Sequence, residues 1–150
     1  MLDANKTVVR RLVEEVFNGS RLEVIEELYA PELARAARHW MAPFRASFPD
    51  VRMEIVELIA EGDKVVGRFT CSATHLGAWL GHAPTGRRFE RVDEVWIFRL
   101  RDGRIVDVWS LEDTLERLRQ LGLTPSMANP WSPSSTDSTI IERSSGGSGT

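Results

Sequence analysis

The stretch 97–122, IFRLRDGRIVDVWSLEDTLERLRQLG, leaves the chain few folds to choose from. Asp102-Gly103 between two runs of alternating apolar residues is a two-residue hairpin signal. Directly after the second run, apolar residues recur at helical spacing over 114–121. A strand that passes straight into a helix, with Asp113 at the join, puts a carboxylate where the end of a sheet can open onto a cavity. One carboxylate so placed can run proton-transfer chemistry. Asp113 also begins Asp-Thr-Leu-Glu, the pattern of a helix N-cap with Glu116 three residues on. Which role it takes separates an enzyme from a binding protein.

Upstream of this unit the chain divides into helices, then strands. Val9, Leu12, Val13, Val16 and Phe17 recur at helical spacing over 5–18, and Asn18-Gly19 ends the run. Ser20 with Glu23 reads as a capping box for a second helix over 21–29. A third, over 32–47, carries Ala37, Trp40, Met41, Phe44 and Phe48 on one side. From Val51 the period changes to two, giving strands over about 51–60, 64–75, 89–100 and 104–111. Three helices and then a four-strand meander is an α+β pattern, with the helices packed on one face of an antiparallel sheet. Residues 1–123 read as one domain. Residues 124–150 are rich in serine, proline, glycine and threonine and read as a polar, disordered tail.

A regular hairpin would pair Arg101 with Arg104, Phe98 with Asp107, Trp96 with Trp109, Glu94 with Leu111 and Val92 with Asp113. One face would then carry Val92, Glu94, Trp96, Phe98, Leu100, Ile105, Asp107, Trp109, Leu111 and Asp113. Large aromatics mixed with carboxylates suit a cavity wall better than a packing surface, because an unpartnered buried charge is expensive. A one-residue bulge would exchange the two faces. Trp40, Trp79, Trp96 and Trp109 suit a flat polycyclic ligand.

Other classes are disfavoured. The net charge is −3 with no basic block, so nucleic acid and anionic membranes are not expected partners. No apolar run approaches the ~20 residues of a membrane span. Cys71 is the single cysteine, which excludes an intrachain disulfide and points to a reducing, cytoplasmic compartment. The three histidines lie at no metal-binding spacing, and no phosphate-loop pattern occurs.

The order FPD, AEGDKV, H-x-G, PTGR, F-R-x-x-D-G-R-I, then W and D-T-L over about residues 5–123 resembles the SnoaL-like polyketide cyclase family. That resemblance implies the cone-shaped fold shared with nuclear transport factor 2, a curved sheet and helices enclosing an apolar pocket. It implies ring closure of a polyketide-like carbonyl compound by intramolecular aldol condensation, without metal or cofactor. It places the aspartate base at Asp113 and gives His75 a supporting role in protonating a carbonyl or orienting the base. Trp40, Glu94, Trp96, Trp109, Tyr29 and Phe98 are the expected substrate contacts, Tyr29 through its hydroxyl. A homodimer through the outer sheet face, with Val95, Ile97, Val106 and Val108, is implied as well. Val108 stands where relatives carry a histidine, and the segment around PELARAARHW is short. These departures keep two alternatives open: a hydrolase, hydratase or hydroxylase in which Asp113 activates water, and a non-catalytic small-molecule-binding module.

Overall fold

A computed structural model describes residues 2–123; the tail expected over 124–150 lies outside the described residues. Helix α1 (Leu2–Arg11) continues through a π-helical stretch, Leu12–Asn18, and buries Val9, Leu12, Val13, Val16 and Phe17. Gly19 is its C-cap, a position where a Cβ would meet the Glu15 carbonyl oxygen at 2.6 Å. Ser20 does not cap the next helix. It sits at φ 61° and its hydroxyl accepts from Arg45. The expected helix over 21–29 is instead a 3₁₀ turn, Leu22–Val24, followed by one turn of α2 (Ile25–Leu28). Helix α3 (Pro31–Ser47) starts on Pro31, whose missing N–H costs nothing at the first position.

Strands β1 (Arg52–Glu61), β2 (Lys64–Thr74), β3 (Arg88–Arg101) and β4 (Arg104–Glu112) form one curved antiparallel sheet in chain order. Helix α4 (Thr114–Gln120) follows at once. The core fills the space between the helices and the sheet's concave face, where Met53, Val65, Phe69, Cys71, Val92, Trp96, Phe98 and Leu100 are buried. The α+β architecture is therefore as the sequence pattern predicts. No helix among the described residues is long and apolar enough to cross a membrane.

The hairpin register corrects the sequence expectation. Arg101 pairs with Arg104 and Leu100 with Ile105, but the ladder then shifts, so that Arg99 pairs with Asp107. Val106 is the extra residue of a β-bulge. In a regular ladder Asp107 would enter the core opposite Phe98. The bulge turns it outward beside Arg99 and brings Val108 in against Phe98. Beyond it, β4 shows the other parity. Ser110 and Glu112 face inward opposite Trp96 and Glu94, while Trp109 and Leu111 face outward, 53% and 64% exposed.

Candidate functional site

A cavity of about 630 Å³ opens between α3, the loop 76–87 and the inner face of β3 and β4. Its walls are aromatic: Phe17, Trp40, Phe44, Trp79 and Trp96. Trp40 and Trp96 lie with ring centroids 5.4 Å apart, and Phe17 meets Trp96 edge-on at 5.9 Å. Loop 76–87 supplies the mouth. It is tied to the end of α3 by Leu76 and Gly77 N–H groups donating to the Ser47 carbonyl, and the Ser47 hydroxyl donates to the Ala78 carbonyl.

The polar groups of this cavity are few: His39 and Ser47 on α3, and Cys71, Glu94, Ser110 and Glu112 on the sheet side. Glu94 is 4% exposed; its Oε1 accepts from Trp96 Nε1 at 3.0 Å and its Oε2 from Arg117 Nη2 at 3.3 Å. Arg117 Nη1 donates to Glu112 Oε2 at 2.7 Å. Burial pushes the Glu94 carboxyl above its ordinary proton affinity; Glu112 adds to this, and Arg117 and the Trp96 N–H offset it only in part. For Arg117 burial works against the charge. The two carboxylates outweigh it, holding the guanidinium above its ordinary range. Cys71 also lines the cavity, with its thiol pushed up by burial and hence neutral.

The expected site residues divide. Trp40, Glu94 and Trp96 line the cavity. Phe98 is on the inner face, but packed in the core and stacked on Trp96 at 5.8 Å. Trp109 is placed on the outer face by the bulge. Tyr29 is buried behind β4, bridged to Ile105, with its hydroxyl unpartnered among the described residues and pushed up by burial. His75 is fully buried at the base of the loop. Its Nδ1 accepts from the Thr85 N–H at 3.2 Å, and its backbone bonds Arg87 and Gly86, so it anchors the loop.

Asp113 caps α4, its Oδ1 accepting from Glu116 N–H at 3.1 Å. It borders a second, shallower groove that shares Glu94 and Glu112 with the main cavity. Truncation in Asp113→Ala is expected to cost about 0.5–2 kcal/mol in chemical denaturation, whereas Asp113→Asn keeps a cap acceptor and most of that stability.

Glu112 and Arg117 had no part in the site expected from sequence. The inward stripe of α4 runs through 114, 117, 118 and 121, and an arginine on that stripe demands a buried acid. This was the available signal.

The sequence matches the SnoaL-like polyketide cyclase family over residues 7–121. The chain belongs to this family. Among curated relatives, the aklanonic acid methyl ester cyclase DnrD of Streptomyces peucetius is 31% identical over 119 residues, 79% of this chain and 80% of its own. DauD of Streptomyces sp. strain C5, which carries the same description, is 29% identical over 84% of this chain and 76% of its own. Among solved structures, AclR of Streptomyces galilaeus, a proposed hydroxylase, superposes with TM-score 0.75 at 27% identity, covering 83% of this chain and 100% of its own. IdmH of Streptomyces antibioticus, a proposed polyketide cyclase, gives 0.70 at 29%, covering 79% and 98%. Membership of the SnoaL-like family supports a cyclase role on polyketide-like substrates.

Proposed function

We propose that this SnoaL-like protein is a cofactor-independent enzyme that closes a ring in a flat, hydrophobic carbonyl compound by intramolecular aldol condensation, with Glu94 as the proton-transfer group. The observation that carries the reading is a buried carboxylate of raised proton affinity on the floor of an aromatic-walled cavity. Glu94 takes a proton from the carbon next to one ketone. The enolate carbon bonds to a second carbonyl carbon, and the resulting alkoxide takes the proton back from Glu94. No electron leaves or enters, so no redox partner is required. Trp40, Trp79 and Trp96 supply flat contact area and exclude water from the enolate.

A second reading keeps Asp113 as the reactive carboxylate, activating water or serving directly as the base. It is favoured by the groove that joins Asp113 to Glu94 and Glu112, and water chemistry by the likeness to AclR. One experiment separates the two. Glu94→Gln and Asp113→Asn are assayed on polyketide-type diketones, in water enriched in heavy oxygen. Loss confined to Glu94→Gln, with no label in a newly formed hydroxyl, is the expected result. Loss confined to Asp113→Asn transfers the reactive role to Asp113, as base if the native product gains no solvent oxygen beyond carbonyl exchange and as activator of water if it does. Turnover unchanged in both variants removes both carboxylates from the chemistry, and a native protein that binds the diketones without converting them is a binding module.

A homodimer through the outer sheet face belongs to the same proposal, with a corrected membership. Val108 faces inward, and the outward row across the four strands is Ile59, Val66, Ile97 and Trp109, flanked by Val95 and Leu111. Ile59, Trp109 and Leu111 are each more than half exposed. Sedimentation velocity is expected to show a dimer that Trp109→Glu converts to monomer with unchanged far-ultraviolet circular dichroism.

A further inference from the structure

The charges on the cavity wall do not balance: two carboxylates, Glu94 and Glu112, share one guanidinium. Arg117 is held between them by aromatic rings. It is fully buried, with its guanidinium carbon 4.8 Å from the Phe89 ring centroid, 5.6 Å from Phe44 and 5.9 Å from Trp79. Its shorter bond goes to Glu112, the more exposed acid, and the longer one to Glu94.

We infer that Arg117 and Glu112 are positioning residues for Glu94, with Glu112 drawing the guanidinium away so that the buried carboxylate is only half compensated. The inference rests on the reading of Glu94 as the proton-transfer group and names what tunes it. Arg117 reaches in from α4 and Glu112 from the end of β4, so the last strand and last helix together set the floor's chemistry. A planar guanidinium bonding two carboxylates through different nitrogens gives each one N–H bond, where a side-on pair would give two. The acid in the drier place then has the greater reason to hold a proton.

The groups facing Glu94 from its neighbours are few. Cys71 on β2 is a neutral thiol, and Trp96 on β3 donates a hydrogen bond. His39 on α3 lines the same cavity and Asp113 the adjoining groove, and neither hydrogen-bonds Glu94. Glu112 and Arg117 are therefore the pair whose charges act on it most directly.

The test reads the carboxyl carbon of Glu94 by NMR titration in the full chain, with kcat/KM against pH on the same diketones. Glu112→Gln removes a repelling charge and frees the guanidinium, so both the Glu94 titration and the acid limb of kcat/KM are expected to move to lower pH, by about one unit or more. Arg117→Gln is expected to move both the other way. A residue that merely supports the fold would lower activity without moving the two profiles in opposite directions. If Glu112→Gln leaves the Glu94 titration in place or raises it, the inference is overturned. That variant suffices alone if Arg117→Gln does not fold. If the titration moves as expected while the kcat/KM limb stays, the positioning stands and Glu94 is not the base.

Discussion

Replacing Glu94 by glutamine is expected to lower turnover by about 10²–10⁴-fold, the usual contribution of a positioned acid or base. Glutamine is nearly isosteric. It keeps an acceptor for Trp96 Nε1, which lies 3.0 Å away in the native site, but it cannot take up a proton. Substrate affinity should change little, because the aromatic walls supply most of the contact area. The molecule carries its own probe: Trp40, Trp79 and Trp96 line the cavity, so ligand binding can be followed by quenching of their fluorescence. Retained quenching with lost turnover assigns Glu94 to chemistry. Turnover within a few-fold of the native protein sinks the assignment.

The second large effect falls on stability. Arg117→Met keeps the length and much of the volume of the side chain among Phe44, Phe89 and Trp79, and removes the charge. Breaking a buried pair by taking away one partner costs about 3–5 kcal/mol, since the other charge stays behind. The cost must depend on pH. Glu94 binds its proton more tightly in the folded chain than at its ordinary value of 4.5. Its contribution to stability is therefore complete below about that pH and is lost as pH rises through the higher folded value. Without Arg117 that folded value rises further, and the penalty of the substitution is smallest in acid and grows as pH climbs. Urea titrations of both proteins from pH 4 to 8 check this. A penalty that is flat with pH, or largest in acid, contradicts it.

These two residues also show how far the site was legible in the sequence. Glu94, Trp96 and Trp40 were found because alternation along β3 and helical spacing along α3 each place them on an inward face. The hairpin turn was legible too, and Arg101 does pair with Arg104. What misled was one residue. The run Ile105-Val106-Asp107-Val108 breaks strict alternation with two adjacent apolar residues, and that break is the bulge. Past it every assignment on β4 reversed, which sent Trp109 outside and hid Ser110 and Glu112. Asp113 lay beyond the ladder, where cap and base share one sequence signature. There the structure records a bond to Glu116 N–H. Arg117 was missed for a different reason. A basic residue on a seven-residue helix reads as solvated surface, and only the two acids across the floor make its burial affordable.

The Val106 bulge sets the parity of everything downstream of it. Excising Val106 would make the ladder regular and leave every later residue on its present side, since Asp107 would still follow Ile105 opposite Arg99 and Val108 would still meet Phe98. Straightening the bulge with all its residues kept does the reverse. Trp109 and Leu111 would turn into the cavity, and Ser110 and Glu112 would turn out onto the sheet's convex face. The extra residue is a phase shift written into the strand: the outline of the fold is indifferent to it, but the cavity keeps its second carboxylate only while the shift is there.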